Sequence, residues 1–197
     1  MKKWVCKTAP KQSFGGYAIN YYILSQRGRD VVLIEKDKIT SGNTKNTTAK
    51  ITSQHYLIYD KLINEFGEEK ARQYAKANEL AIKKYKEIIE ERRIDCDFEE
   101  VPAFVYSLNE VDLIKKEVEA AKRLGIDAEF VDKINIPLDI KGAVKFNNQA
   151  QFNPLKFLVD ITKELKIYEN TKAITSKCKE DDHVLLSSLK CYHVRKK

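Results

Sequence analysis

Three features of the first fifty residues could together hold a nucleotide. Gly15-Gly16 opens a stretch that reads as a helix, and glycines at a helix N-terminus let backbone N–H groups approach a phosphate. Val31-Val32-Leu33-Ile34 is a continuous apolar run closed by Glu35 and Lys36, 19 residues beyond Gly16. An acidic residue about 20 residues past a glycine turn, at the end of the next strand, is where a dinucleotide-binding βαβ unit places the carboxylate that accepts from ribose hydroxyls. Five residues after Glu35 begins Thr40-Ser41-Gly42-Asn43-Thr44-Lys45-Asn46-Thr47-Thr48, dense in hydroxyl and amide groups. Loops at strand C-termini of an open α/β sheet face the ligand crevice, so this one is placed to hold the phosphate and ribityl oxygens of a long cofactor. The same residues also suit a plain α/β core and a solvated loop: a full G-x-G-x-x-G is absent, and hydroxyl and amide residues are common in loops.

The elements that must position these groups follow from periodicity. Residues 17–26 suit a short buried helix, with Gly28 as its stop. The apolar run 31–34 suits a strand buried on both faces, as in a parallel sheet. The strand that should precede Gly15 is missing from the pattern, since only Trp4-Val5-Cys6 is apolar there. Residues 39–52 read as loop, 53–66 as a helix stopping at Gly67, and 68–91 as a second helix with apolar residues at three- and four-residue spacing. A strand with a proline at its start spans 101–106, and Asn109 is placed to cap a helix over 110–124. Short strands are expected at 128–131 and 142–146. Asn153-Pro154 reads as an N-cap with proline at the first helical position, opening a helix over 155–165. Residues 166–174 read as a strand-pair region, and 176–197 carry little pattern beyond the apolar run 184–186. The order implies an α/β fold: a nucleotide-binding part interrupted by an α+β part with antiparallel strands. The expected division is 1–52 with 141–197 for the first part and 53–140 for the insertion.

Composition narrows the class. The 197 residues are 43% hydrophobic and 33% charged, too apolar for a disordered chain and too charged for a membrane protein. The net charge of +7 sits at the ends: +5 over residues 1–30, +4 over 172–197 and −2 between. A nucleic-acid binder would spread its cations over a folded face, so no nucleic-acid partner is expected. Cys6, Cys96, Cys178 and Cys191 form no C-x-x-C pair, and His55, His183 and His193 are scattered, so no metal site is expected. Residues 1–10 lack an apolar leader core, and a cytoplasmic location is expected. Tyr106 and His55 are available as general bases, but neither is singled out. A tyrosine in an apolar strand is more often core.

The chain resembles the FAD-dependent oxidoreductases of the D-amino-acid oxidase and glycine oxidase family, most of all the branch whose members often carry a C-terminal Rieske domain. The resemblance spans about residues 20–175. Its most specific parts are Asn46–His55 and Asn148–Lys156. It implies a partial Rossmann-like FAD-binding domain interrupted by a substrate-type domain with antiparallel strands. It further implies FAD as cofactor and oxidation of a C–N bond of a small amine or amino acid by hydride transfer to the flavin. By resemblance Glu35, with Lys36 beside it, would serve the adenosine ribose. Ser41, Gly42, Thr44, Asn46, Thr47 and Thr48 would line the pyrophosphate and flavin side, Gly15 and Gly16 the pyrophosphate, and Ala173 the adenine. The family's glycine fingerprint survives only as Gly15-Gly16, and the likeness fades after Ser176. The chain is therefore expected to be a truncated copy. The alternative is a non-catalytic fragment that folds in part, or that associates with another chain through the sheet edge left by its missing first strand.

Overall fold

The computed structural model describes residues 3–7, 14–28, 30–35, 37–40 and 49–171. In chain order the first elements are β1 (Lys3–Lys7), α1 (Phe14–Gln26), β2 (Asp30–Ile34), β3 (Lys50–Ile51), α2 (Tyr59–Phe66) and α3 (Glu68–Arg92). Then follow β4 (Glu99–Glu100), β5 (Ala103–Ser107), α4 (Val111–Arg123), β6 (Ala128–Val131), β7 (Gly142–Phe146), β8 (Ala150–Gln151), α5 (Pro154–Thr162) and β9 (Ile167–Tyr168). The mixed α/β class is as expected. The chain divides into two compact units, Met1–Thr48 with Asn153–Lys197, and Ala49–Phe152.

The first unit is built on a parallel sheet in the order β1-β2-β9. β1 pairs with β2 from Lys3↔Asp30 to Lys7↔Ile34, and β2 pairs with β9 at Leu33↔Ile167 and Ile34↔Tyr168. The central position of β2 accounts for its apolar run: Val31, Leu33 and Ile34 are buried. α1 leads back from the end of β1 to the start of β2 and stops at Gly28, whose φ of +69° costs a glycine little. The buried Tyr21 hydroxyl ties three elements together. It donates to the Val31 carbonyl at 2.6 Å and accepts from the Lys166 N–H at 3.0 Å. α5 starts as its sequence dictates, with Asn153 Oδ1 accepting from Leu155 and Lys156 N–H and Pro154 at the first helical position.

One expectation fails here. The first strand is not missing: Lys-Trp-Val-Cys-Lys is β1. Three apolar residues between lysines carry too weak a periodic signal to be read alone. The ladder offered by β2 makes the strand, as tertiary pairing commonly overrides local preference. The edge expected on that side of β2 is thereby occupied.

The second unit holds two antiparallel sheets. One is β5-β7-β6, with five paired positions between β5 and β7 and four between β6 and β7. α4 covers one face, packing Ile114, Val118 and Ala121 with Val144 and Phe146 in a core that also takes in Tyr59, Ala71 and Ala75. The other sheet is small, in the order β3-β8-β4. Because β7 is the central strand of its sheet, residues 141–152 belong with the insertion. The boundary expected at 141 falls instead between Phe152 and Asn153.

Two local expectations also change. The helix expected from Ser53 begins only at Tyr59, because Ser53 and Gln54 are buried and held in an irregular segment described below. Asn109 does not cap α4. The N-cap position is Glu110, without a side-chain cap, and the Ser107 hydroxyl instead accepts from the Asn109 and Glu110 N–H groups at 3.3 and 2.9 Å.

Candidate functional site

Two of the three nucleotide-type features, the Gly15-Gly16 turn and Glu35, lie at the C-terminal end of the parallel sheet. α1 spans about 20 Å and ends four residues before Asp30, at the start of β2, so its first turn lies at the far end of the strands. Gly15 and Gly16 are the second and third residues of that turn, which carries no acidic residue. Its unpaired N–H groups and the positive end of the helix dipole face no carboxylate of the turn itself. Glu35 follows β2 directly and is half-buried. Its Oε1 accepts the Asp37 N–H at 3.0 Å, which fixes the direction of the carboxylate.

The segment after β2 is laced to the segment after β9. Glu35 N–H donates to the Tyr168 carbonyl at 2.9 Å, and Thr171 N–H donates to the Glu35 carbonyl at 2.9 Å. Asn170 N–H donates to the Asp37 carbonyl at 3.1 Å, and the Glu169 carboxylate accepts the Ile39 N–H at 2.7 Å. Glu169 was not foreseen, since an acid beyond a two-residue strand has no sequence signature. Gly15, Gly16 and Glu35 thus lie in one unit and at one end of one sheet. Lys36, Ser41, Gly42, Thr44, Asn46, Thr47, Thr48 and Ala173 lie outside the described residues.

A second polar constellation was missed entirely. It holds the chain where it resumes at Ala49. Phe152 N–H donates to the Ala49 carbonyl at 3.0 Å, and β3 pairs with β8 as Lys50↔Gln151 and Ile51↔Ala150. Where that ladder stops, Gln149 continues it with its side chain: Oε1 accepts from the Ser53 N–H at 2.7 Å and from the Ser53 hydroxyl at 3.2 Å. Gln149 Nε2 donates to the Asn147 carbonyl at 2.9 Å and lies 3.4 Å from Glu79 Oε1. The Tyr59 hydroxyl donates to the Ser53 carbonyl, and burial pushes that phenol well above its ordinary pKa.

At the other end of the segment, the Glu117 carboxylate of α4 caps α2. It accepts the Ile58 and Tyr59 N–H groups at 2.8 Å each and the Asp60 N–H at 3.0 Å. Glu117 is fully buried. Burial raises its pKa above the usual carboxylate value, and the three N–H donors pull the other way without overcoming it. A signal for Glu117 existed: Ile114, Glu117, Val118 and Ala121 form one stripe at helical spacing, so an acid stands in the apolar face of α4. For Gln149 the sequence offered only its place in the family-like stretch 148–156.

His55 and Tyr56, at the tip of this segment, are exposed. Tyr106 is 44% exposed rather than core, because it alternates with Val105 and so stands on the sheet face that α4 does not cover. Neither arrangement forms a base–substrate pair that can be named. Among the described residues no cluster of three His, Cys, Asp or Glu could hold a metal, and no helix is long and apolar enough to cross a membrane.

Comparison with known proteins decides the family. The family described as FAD dependent oxidoreductase matches residues 16–188. The chain belongs to that family. YhfW of Bacillus subtilis (strain 168), named as a Rieske 2Fe-2S iron-sulfur protein, is 41% identical over 174 residues, covering 85% of this chain and 34% of YhfW. The flavoenzyme fold is shared with L-proline dehydrogenase from P. horikoshii, at a TM-score of 0.69 and 15% identity over 91% of this chain and 46% of that one. It is shared too with L-amino acid deaminase from Proteus vulgaris, at a TM-score of 0.66 and 17% identity over 91% and 42%. The chain therefore spans about a third of YhfW and under half of these two solved proteins.

Proposed function

We propose that the parallel-sheet unit binds the adenosine and pyrophosphate of FAD and that the 49–152 unit serves the substrate side of a flavin-dependent oxidation. The observation that carries this reading is the parallel β1-α1-β2 unit, with glycines in the first turn of α1 and Glu35 closing β2 at the same end. The residues present fit the cofactor. A helix whose first turn has no acidic residue and two residues lacking Cβ suits a pyrophosphate, and an oriented carboxylate at the next strand end suits two ribose hydroxyls.

In this reading Glu35 accepts from the adenosine ribose with Lys36 beside it, and Gly15 and Gly16 approach the pyrophosphate. Ser41, Gly42, Thr44, Asn46, Thr47 and Thr48 line the pyrophosphate and flavin side, and Ala173 meets the adenine. The flavin, when bound, supplies the hydride acceptor; the protein supplies binding and orientation. The substrate is an amine or amino acid oxidised at its C–N bond by the whole protein, a reading supported by family membership and by the named activities of the two solved relatives.

Titration of the purified chain with FAD tests the cofactor assignment. The expected result is saturable quenching of flavin fluorescence with a melting temperature that rises with FAD, since a ligand that binds only the folded state stabilises it. No quenching and an unmoved melting temperature would favour the non-catalytic fragment.

A further inference from the structure

Each of the three sheets ends in two edge strands, and an edge strand offers unpaired N–H and C=O groups to any strand that reaches it. Five of these six described edges carry a feature that discourages such pairing. β1 is bounded by Lys3 and Lys7, and β3 is two residues long and begins with Lys50. β4 is Glu99-Glu100, β6 contains Glu129, and β9 is only two residues long. β5 is the exception among the described strands. Its five residues, Ala-Phe-Val-Tyr-Ser, include no charge and no proline. It pairs with β7 along its whole length on one side and borders the sheet on the other.

The side chains of β5 add to this. Val105 packs into the core under α4, while Phe104 and Tyr106 stand on the opposite face, 39% and 44% exposed. The strand is also self-complementary. Antiparallel pairing with β5 of a second copy, about a two-fold axis at Val105, sets Phe104 opposite the partner's Tyr106 and Tyr106 opposite the partner's Phe104. Directly opposite residues of an antiparallel pair share a face, so two aromatic pairs form on the open face and both α4 helices lie on the other. No like charges meet within the strands. A register shifted by one residue would set an aromatic opposite Val105 and turn the two α4 layers to opposite faces of the joint sheet.

We propose that β5 is a docking edge for a second copy of this chain, pairing antiparallel about Val105 into a six-stranded sheet. The proposal goes beyond the FAD reading and does not rest on it, since every residue it uses belongs to the 49–152 unit. A two-fold contact spends the same edge on both copies, so association closes at the dimer. Five residues a side is small against the roughly 20–30 of a stable complex, so the dimer is weak, with a Kd on the order of 100 µM.

Sedimentation equilibrium of the full chain over about 5–500 µM tests this and is expected to show one monomer–dimer equilibrium. Phe104→Lys/Tyr106→Lys sets lysine opposite lysine twice and should weaken the dimer at least about tenfold, as should Phe104→Glu/Tyr106→Glu. An equimolar mixture of the two variants should associate about tenfold more tightly than either alone, because opposite charges then face each other. Val159→Lys, at an apolar position of α5 that is 60% exposed, should leave the dimer within about twofold of wild type. Melting temperatures check that each variant folds. Should the double variants fail to fold, Tyr106→Lys alone is expected to weaken the dimer about threefold.

A wild-type chain that stays monomeric throughout, or that grows past the dimer, would overturn the proposal. So would a dimer indifferent to charge at 104 and 106, one weakened as much by Val159→Lys, or a mixture no tighter than its components.

Discussion

The segment after β2 and the segment after β3 do similar work by opposite means. Residues 35–39 continue a buried parallel strand and are held largely by backbone bonds to the strand beside them. Residues 52–60 follow a two-residue strand and are held by side chains that reach in from 57 to 96 positions away. The first is signalled by its own residues, an apolar run, an acid at its end and a count of residues back to a glycine pair, although its partners, the Glu169 side chain among them, stand about 130 positions away. The second is written nowhere near the residues it orders. The second is also the more brittle, since removal of the Glu117 side chain leaves one buried and two part-buried N–H groups without their acceptor.

Glu117 is where that brittleness should be greatest. Glu117→Ala strips three N–H groups at the start of α2 of their acceptor and is expected to destabilise the chain by about 3–5 kcal/mol in denaturant unfolding. Glu117→Gln, which keeps one acceptor oxygen, should cost less than half as much. A loss below about 1 kcal/mol for the alanine would show that remote capping is not what holds the segment.

The same carboxylate gives a pH dependence of fixed sign. Its folded pKa lies above its ordinary value of 4.5, so folding favours the protonated form. The stability this contributes is present below 4.5 and is lost as pH rises through the folded value. Wild-type stability should therefore fall relative to Glu117→Gln across that window, and parallel pH profiles would contradict the assignment.

The smallest effect sharpens the comparison from the other side. Tyr56, at the tip of the remotely held segment, is 85% exposed with φ of +62°. Its side chain adds little packing, while its Cβ opposes the left-handed backbone. Tyr56→Gly should be more stable than Tyr56→Ala by about 1 kcal/mol in thermal unfolding, because only glycine escapes that opposition. If Tyr56→Ala is the more stable, the segment relaxes freely and is not held.

What was legible in the sequence follows the same divide. The run 31–34, the stop at Gly28, the long helix after Gly67, β6, β7 and the Asn153-Pro154 start of α5 were read correctly, because each is signalled by its own residues. β1 was missed because its partner strand, rather than its three apolar residues, makes it. The sequence pattern puts the start of α2 six residues early because its cap comes from another helix, and it points to Asn109 as a cap because the hydroxyl that does the work stands two residues before it. At the candidate site, Gly15, Gly16 and Glu35 could be found by type and spacing. Gln149 and Glu117 could not be tied to Ser53 and Tyr59 by any local count, although an acid within the apolar stripe of α4 marked Glu117 as unusual.

The central claim is that Glu35, at the tip of β2, grips the adenosine end of FAD. It is tested most directly by equilibrium FAD titration of Glu35→Gln against wild type. The amide can still accept the Asp37 N–H, so the fold should be kept, with unfolding free energy changed by less than about 1 kcal/mol. Loss of the charge-assisted bonds to the ribose should weaken FAD about tenfold. Equal affinity in the two proteins, at equal stability, would contradict the account.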